Sequence, residues 1–183
     1  MRNYGEELAY WYFRLNGFFP IVDWVDHRDV GRGTTDADII AVRPKYSDEH
    51  IGGAGDLDEL FEGRKTFNLG VICQVKTGVP ATWEFDDGHV GRAIKRLGMM
   101  EVPESLSLRG KPEVSDESTT ILKILIAPEN WRRETRSHHF VSMEQVNDFL
   151  IRRMRHYPAK DSDRHFFPST LLQYIIHFNR PHD

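Results

Sequence analysis

Three short groups of residues carry side chains suited to phosphate chemistry. They are Glu6-Glu7 near the start of the chain, Asp36 and Asp38 ahead of an apolar run, and Gln74-Val75-Lys76 at the end of another. Residues two apart in a strand share a face, so Gln74 and Lys76 point the same way, as do Asp36 and Asp38. If the strand beginning at Asp38 pairs antiparallel with the strand ending at Lys76, a carboxylate, an amide oxygen and an ammonium meet at one sheet edge. That set suits a hard divalent cation, Mg²⁺ or Mn²⁺, held by oxygen ligands with only one or two carboxylates. Asp38 is the expected anchoring ligand and Gln74 a neutral oxygen donor, with the Val75 carbonyl beside it. Glu6 binds through water or completes the charge. Lys76 is placed to contact an attacking water or a scissile phosphate, so the expected chemistry is metal-assisted hydrolysis of a phosphodiester.

The elements that must position these groups are readable from periodicity. Leu8, Trp11, Tyr12 and Leu15, widened by Ala9 and Phe13, predict an opening helix that packs on two sides and is capped at Gly17. Strands are predicted over Phe18–Val25, Asp38–Val42, Phe67–Val75 and Thr119–Ala127, the third and fourth nearly continuous in apolar residues and so buried on both faces. A polar turn region containing His27 separates the first two strands. Residues 45–66 form a polar insertion with a helical turn near Asp58–Phe61. Val90, Ala93, Ile94 and Leu97 make the apolar face of a helix capped at Gly98, and Arg92, Lys95 and Arg96 make its other face. Glu101–Ser118 reads as loop. A short strand, a helix opened by a Ser142-x-x-Gln145 capping box and running to about His156, and a last helix from Ser169 complete the chain. Three strands in succession predict an antiparallel meander, and the helix before the fourth permits a parallel crossover. The expectation is an α/β (α+β) single domain spanning 1–183, with a mixed sheet flanked by helices.

The pattern Gly5-Glu6-x-x-Ala9, Leu15-x-Gly17-Phe18, Asp38-Ile-Ile-Ala and Gln74-x-Lys76-Thr77 resembles the restriction-endonuclease-like, or PD-(D/E)XK, superfamily. It is similar in particular to the Holliday-junction-resolvase-like and Mrr-like branches. The resemblance covers about residues 5–127 and implies an α-β-β-β-α-β core, with a C-terminal helical extension over about 140–183. It implies Mg²⁺-dependent phosphodiester hydrolysis by an endonuclease, usually on DNA, with RNA the other nucleic-acid substrate left open, and with Glu6, Asp38, Gln74 and Lys76 in the active site and Asp38, Gln74 and Glu6 around the metal. It also implies a homodimer for cutting two strands. Ala37 stands where the family name has Pro, and Gln74 replaces an acid, which removes one unit of attraction for the cation. The alternative is a catalytically degenerate member of the same fold that binds nucleic acid or a protein. Glu7 competes with Glu6 for the helix position, and the family phase favours Glu6.

Each group also has a plain structural use. Acids suit a first helical turn, and Gln74 and Lys76 suit a solvated strand end. Arg92, Lys95 and Arg96 are either a solvated helix face or phosphate contacts. The same choice applies to Arg132, Arg133, Arg136, Arg152, Arg153 and Arg155, a basic excess in the last third, and Trp83 and Trp131 either pack or stack on bases.

Composition removes other classes. One Cys in 183 residues excludes a disulfide framework and a Cys-based zinc site, and the nine His show no His-x-x-x-His spacing. Gly52-Gly-Ala-Gly55 lacks the Lys-Ser/Thr of a P-loop, and no Gly-x-Ser-x-Gly is present. No apolar run approaches the ~18–20 residues of a membrane span, and the first residues lack the apolar stretch of a secretory leader, so a cytoplasmic protein is expected. The net charge of −4 argues against nucleic acid only if it is spread evenly. It is not: residues 46–66 hold Asp48, Glu49, Asp56, Asp58, Glu59 and Glu62 against Arg64 and Lys65, and the rest of the chain balances.

Overall fold

The computed structural model describes residues 3–26, 35–47, 57–78, 85, 87–101, 110–132, 136–155 and 169–179. In chain order the elements are α1 (Tyr4–Leu15), β1 (Phe19–Asp26), β2 (Thr35–Arg43), α2 (Glu59–Glu62), β3 (Asn68–Val75), α3 (Asp87–Leu97), β4 (Glu113–Ser115) and β5 (Thr119–Ala127). A 3₁₀ turn over Glu129–Trp131, then β6 (His139–Ser142), α4 (Met143–Arg155) and α5 (Thr170–Phe178) follow. The helix, three strands, helix, strand order of the sequence reading is present, with α2 interposed before β3 and β4 before β5.

The strands form one mixed six-stranded sheet of order β1-β2-β3-β5-β4, with β6 also paired to β5. β1, β2 and β3 are an antiparallel meander, and β3 and β5 are parallel across the α3 crossover. The far edge of β5 is shared: β4 takes Thr120–Leu122 and β6 takes Ile124–Ala127. One face of the sheet packs Ile39, Val71, Cys73, Ile124 and Ile126 against α1, α4 and α5. The other packs Ile40, Ile72 and Ile121 against Val90, Ala93 and Ile94 of α3.

The helix stripe read from the sequence is the buried side of α1: Leu8, Ala9, Tyr12, Phe13 and Leu15 are all buried. Gly17 adopts φ 82°, and the amides of Gly17 and Phe18 return to the carbonyls of Arg14 and Phe13. This is a paired C-terminal closure that only a residue free to enter the left-handed region completes without strain. The Phe13 and Phe18 rings meet across it at 5.8 Å.

Three local readings change. The loop predicted over Glu101–Ser118 contains β4, a three-residue strand too short for alternation to show. Its return to β5 is set by Asp116, whose Oδ1 accepts from the amides of Ser118 and Thr119, both at 2.8 Å. The predicted capping box is only half formed. Ser142 Oγ accepts from the Gln145 amide at 3.0 Å, but the Gln145 side chain donates to the Asp58 carboxylate, 87 residues away, at 3.3 and 3.4 Å. The second strand extends beyond its apolar run, from Thr35 to Arg43, because β1 pairs along nearly all of it.

Asp58 also revises the reading of the acidic segment. It is 3% exposed, caps α2 through the Leu60 amide, and its own amide donates to Asn16 Oδ1 at 2.8 Å. It is a buried joint among α1, α2 and α4 rather than part of a solvated acidic surface. Residues 48–56 of that segment lie outside the described residues. Losing the helix cap and the Gln145 acceptor together is expected to make Asp58→Ala about 2 kcal/mol less stable. Glu59→Ala, at an exposed position, is expected to stay within ~0.5 kcal/mol of wild type. Urea unfolding of the two variants checks this, and equal values would remove the structural role given to Asp58.

Candidate active site

β2 and β3 pair from Arg43↔Leu69 to Ile39↔Cys73 and no further. The next β3 donor on that side, the Val75 amide, gives its hydrogen to Asp38 Oδ2 at 2.6 Å instead of to a β2 carbonyl. On its other side β3 stays in register with β5, and the Lys76 amide donates to the Ile126 carbonyl at 2.9 Å. The sheet therefore forks between β2 and β3, and Asp38 sits in the fork.

Alternation assigns the faces. Ile39, Cys73 and Val75 belong to the core under α1, while Ile40 and Ile72 belong to the core under α3. Gln74 is thus on the α3 face, and Lys76 follows two residues after it. Ala37 joins the α3 core as Ile40 does, so β2 departs from strict alternation at Asp38, whose carboxylate reaches the edge of β3 at the Val75 amide. Gln74 is 6% exposed and Lys76 is half-buried. Burial pushes the Cys73 thiol well up; the nearby Asp38 charge pushes the same way, and the Lys76 ammonium opposes it. Both charges therefore act on one buried position, which places them around the end of β3.

α1 brings its first turn to the same place. A Cβ on Gly5 would stand 2.5 Å from Thr77 Cγ2, 2.8 Å from Met143 Cε and 3.1 Å from Val75 Cγ1. Only a glycine lets the helix start lie this close to the end of β3 and the start of α4. The structure also separates the two acids. Glu6 shares a reciprocal cap with Asn3: its amide donates to Asn3 Oδ1 at 2.9 Å, and its Oε1 accepts from Asn3 Nδ2. Glu7 instead accepts from Ser169 Oγ, the cap of α5. Glu7 ties α5 to α1, and Glu6 belongs to the turn seated against β3.

The other sequence candidates fall elsewhere. Leu97, at the end of α3, lies over Gly70, four residues before Gln74 and so roughly 13 Å along the strand. Lys95 and Arg96, exposed in that last turn, are at the end of β3 remote from Asp38, and half-buried Arg92 is one turn closer. His27, Trp83 and the Asp36 side chain lie outside the described residues.

One residue was passed over in the sequence although its signal was present. Lys123 interrupts the Ile121–Ile126 apolar run, and it is 2% exposed. It pairs with Ile72 on the α3 face, and its Nζ is 5.8 Å from the centre of the Phe85 ring. Burial, helped by the charges of Lys123 and His139, pushes the His138 imidazole down to about 4. His138 rests against Phe85, and its neighbour His139 turns to Glu113 Oε2 at 3.2 Å, so the two histidines take different directions.

Among the described residues, no three His, Cys, Asp or Glu side chains gather into a metal-holding group. The oxygen donors at the fork are instead one carboxylate, an amide and a backbone carbonyl, with Glu6 on the adjoining turn. Comparison of the chain with models of known families, with characterised proteins and with solved structures gave no match.

Two outcomes follow from this geometry. Gly5→Ala gains helix propensity of up to ~1 kcal/mol, yet the crowding at Thr77 and Met143 is expected to leave it about 1–3 kcal/mol less stable. A denaturation midpoint at or above wild type would show that the close approach is slack. His138 is neutral in the folded chain down to about pH 4, while its unfolded counterpart protonates near 6.5. The unfolded state therefore binds the extra proton in that window, and this residue makes stability fall as pH drops from about 6.5 to 4. His138→Gln should flatten the fall between those values in urea unfolding; an unchanged slope would place its source elsewhere.

Proposed function

We propose that this chain is a divalent-metal-dependent nuclease of restriction-endonuclease-like fold that hydrolyses phosphodiester bonds in DNA. The observation that carries the reading is the fork at Asp38, whose carboxylate meets β3 at the Val75 amide, between Gln74 and Lys76 and beside the first turn of α1 that carries Glu6. The antiparallel meander followed by a helical crossover to a parallel strand supports it, since that is the order the resemblance implies.

The donor set fits Mg²⁺ or Mn²⁺, being all oxygen and carrying two carboxylates at most. Asp38 would hold the ion with Gln74 and the Val75 carbonyl, and Glu6 would complete the charge. Bound there, the cation supplies positive charge against the phosphate and makes water more acidic. The chain's own residues do the rest. The Val75 amide fixes the direction of the Asp38 carboxylate, so its charge needs no reorganisation during reaction. Lys76 presents a compact ammonium to a phosphate oxygen or to the attacking water. Water adds to phosphorus as the P–O bond to the leaving nucleotide breaks, and the leaving oxygen takes up a proton. Gln74 holds an oxygen toward the site without adding charge, so the cation is held less tightly than by an acid at that position.

The test is incubation of the purified chain with plasmid, linear, branched and single-stranded DNA in Mg²⁺, in Mn²⁺ and in chelator. Cutting is expected only with metal, and to fall at least ~100-fold in Asp38→Ala and in Lys76→Ala. Glu6→Ala is expected to lower cutting, whereas Glu7→Ala lowers stability through α5 and leaves cutting near wild type. Gln74→Glu is expected to raise the protection Mn²⁺ gives against heat. Equal cutting by wild type and both variants would falsify the site. Binding of DNA without cutting under any metal would make the chain a binding module of the same fold.

A further inference from the structure

The cross-strand row that contains the fork does not end at β3. Asp38 reaches the Val75 amide beside Gln74, Gln74 pairs with Leu125, and Leu125 pairs with Phe140. Val141 faces the α1 core, which leaves Phe140 on the same face as Gln74. Phe140 is two strands from Gln74, about 10 Å across the sheet. It carries Arg132 on its ring, with the guanidinium carbon 4.9 Å from the ring centre.

Arg132 is held in that pose from a second direction. Its Nε and Nη2 both donate to the Glu129 carboxylate, Nη2 at 3.1 Å. The Glu129 amide in turn donates to Glu144 Oε2 at 2.9 Å, which anchors the turn to α4. The Arg132 side chain is nonetheless 53% exposed. A planar guanidinium that lies on a ring, is fixed by a bidentate carboxylate and is still half-exposed offers its outer face as a flat stacking surface. Glu129 offsets its charge, so the surface suits a π-face better than a phosphate.

The geometry points to Arg132 stacked on Phe140 as a platform for an unpaired base of the strand whose backbone lies at Asp38, Gln74 and Lys76. The inference rests on the nuclease reading and narrows its substrate to DNA with single-stranded character, such as a flap, a branch or a melted end. Bases within a duplex are already stacked and cannot use the surface; unpaired bases can, whatever their sequence.

The test is binding in chelator, where no cutting is needed. Fluorescence anisotropy of the full chain is compared for a labelled single-stranded oligonucleotide and for its blunt duplex. Wild type is expected to prefer the single strand. Arg132→Ala is expected to weaken that binding about tenfold or more and to leave duplex binding within about twofold, as loss of a stacking partner does. Arg132→Lys keeps the charge but not the plane, and it is expected to behave like Ala. Phe140→Leu, checked for an unchanged melting temperature, is expected to act in the same direction. Full recovery with Lys would make Arg132 a simple charge and overturn the platform. So would unchanged single-strand binding in Arg132→Ala, or a wild type that does not bind the single strand. Absence of metal-dependent cutting bears on the nuclease reading alone, so the two can fail separately.

Discussion

The hydrogen bond from the Val75 amide to Asp38 Oδ2 is the constraint on which the candidate site depends. A buried amide in a central strand must find an acceptor, because leaving it unpaired costs ~1–3 kcal/mol. Along most of β3 the acceptors are backbone carbonyls of its neighbours. At Val75 a side chain takes over on the β2 side, and the two strands are free to part. β3 does not fray there, because β5 continues to pair with it through Lys76. One substitution of a carboxylate for a carbonyl thus ends the β2–β3 pairing and orients the acid at the point where the strands part.

Glu6 stays beside this point because α1 is seated at both ends. Its last turn is closed by the Gly17 turn and held by two buried guanidiniums. Arg43 is 1% exposed, donates to the carbonyls of Asn16, Phe61 and Arg64, and lies over the Phe18 and Phe61 rings. Arg153 of α4 donates to the Leu15 carbonyl at 3.3 Å. Buried charges of this kind are tolerated because carbonyl dipoles replace the lost water. The first turn is held by fit at Gly5 against Thr77, Met143 and Val75, and the Glu7 bond to Ser169 fastens α5 onto it. Helix α5, the part of the chain the motifs do not reach, is in this way tied to the turn that carries Glu6.

Charge is arranged the same way. Asp58 turns from a surface acid into a buried cap, and its neighbour Tyr12 has its phenol pushed well up, first by burial and then by that carboxylate. Lys123 places a positive charge inside the α3 face, among Phe85 and His138 and one row from Gln74. A net charge of −4 therefore describes the chain and not the face on which the chemistry is proposed.

The sequence by itself determined most of the elements, because their signals are local. The 3.6-residue stripe of α1, the unbroken apolar runs of β3 and β5, and the glycine stops at Gly17 and Gly98 need no distant partner to be read. It also singled out Asp38, Gln74 and Lys76, because polar residues beside fully apolar strands stand out. Tertiary structure decided what spacing cannot encode. Glu6 and Glu7 are equivalent in a helical pattern, and only the packing of α5 takes Glu7 away. Lys95 and Arg96 look like neighbours of the site until the direction of α3 sends them to the other end of β3. The Gln145 side chain obeys a partner 87 residues distant rather than its own cap, and the stack of Arg132 on Phe140 exists only because β6 joins β5 in one register. In each case the deciding term is a contact between residues far apart in the chain, whose energy local pattern does not contain.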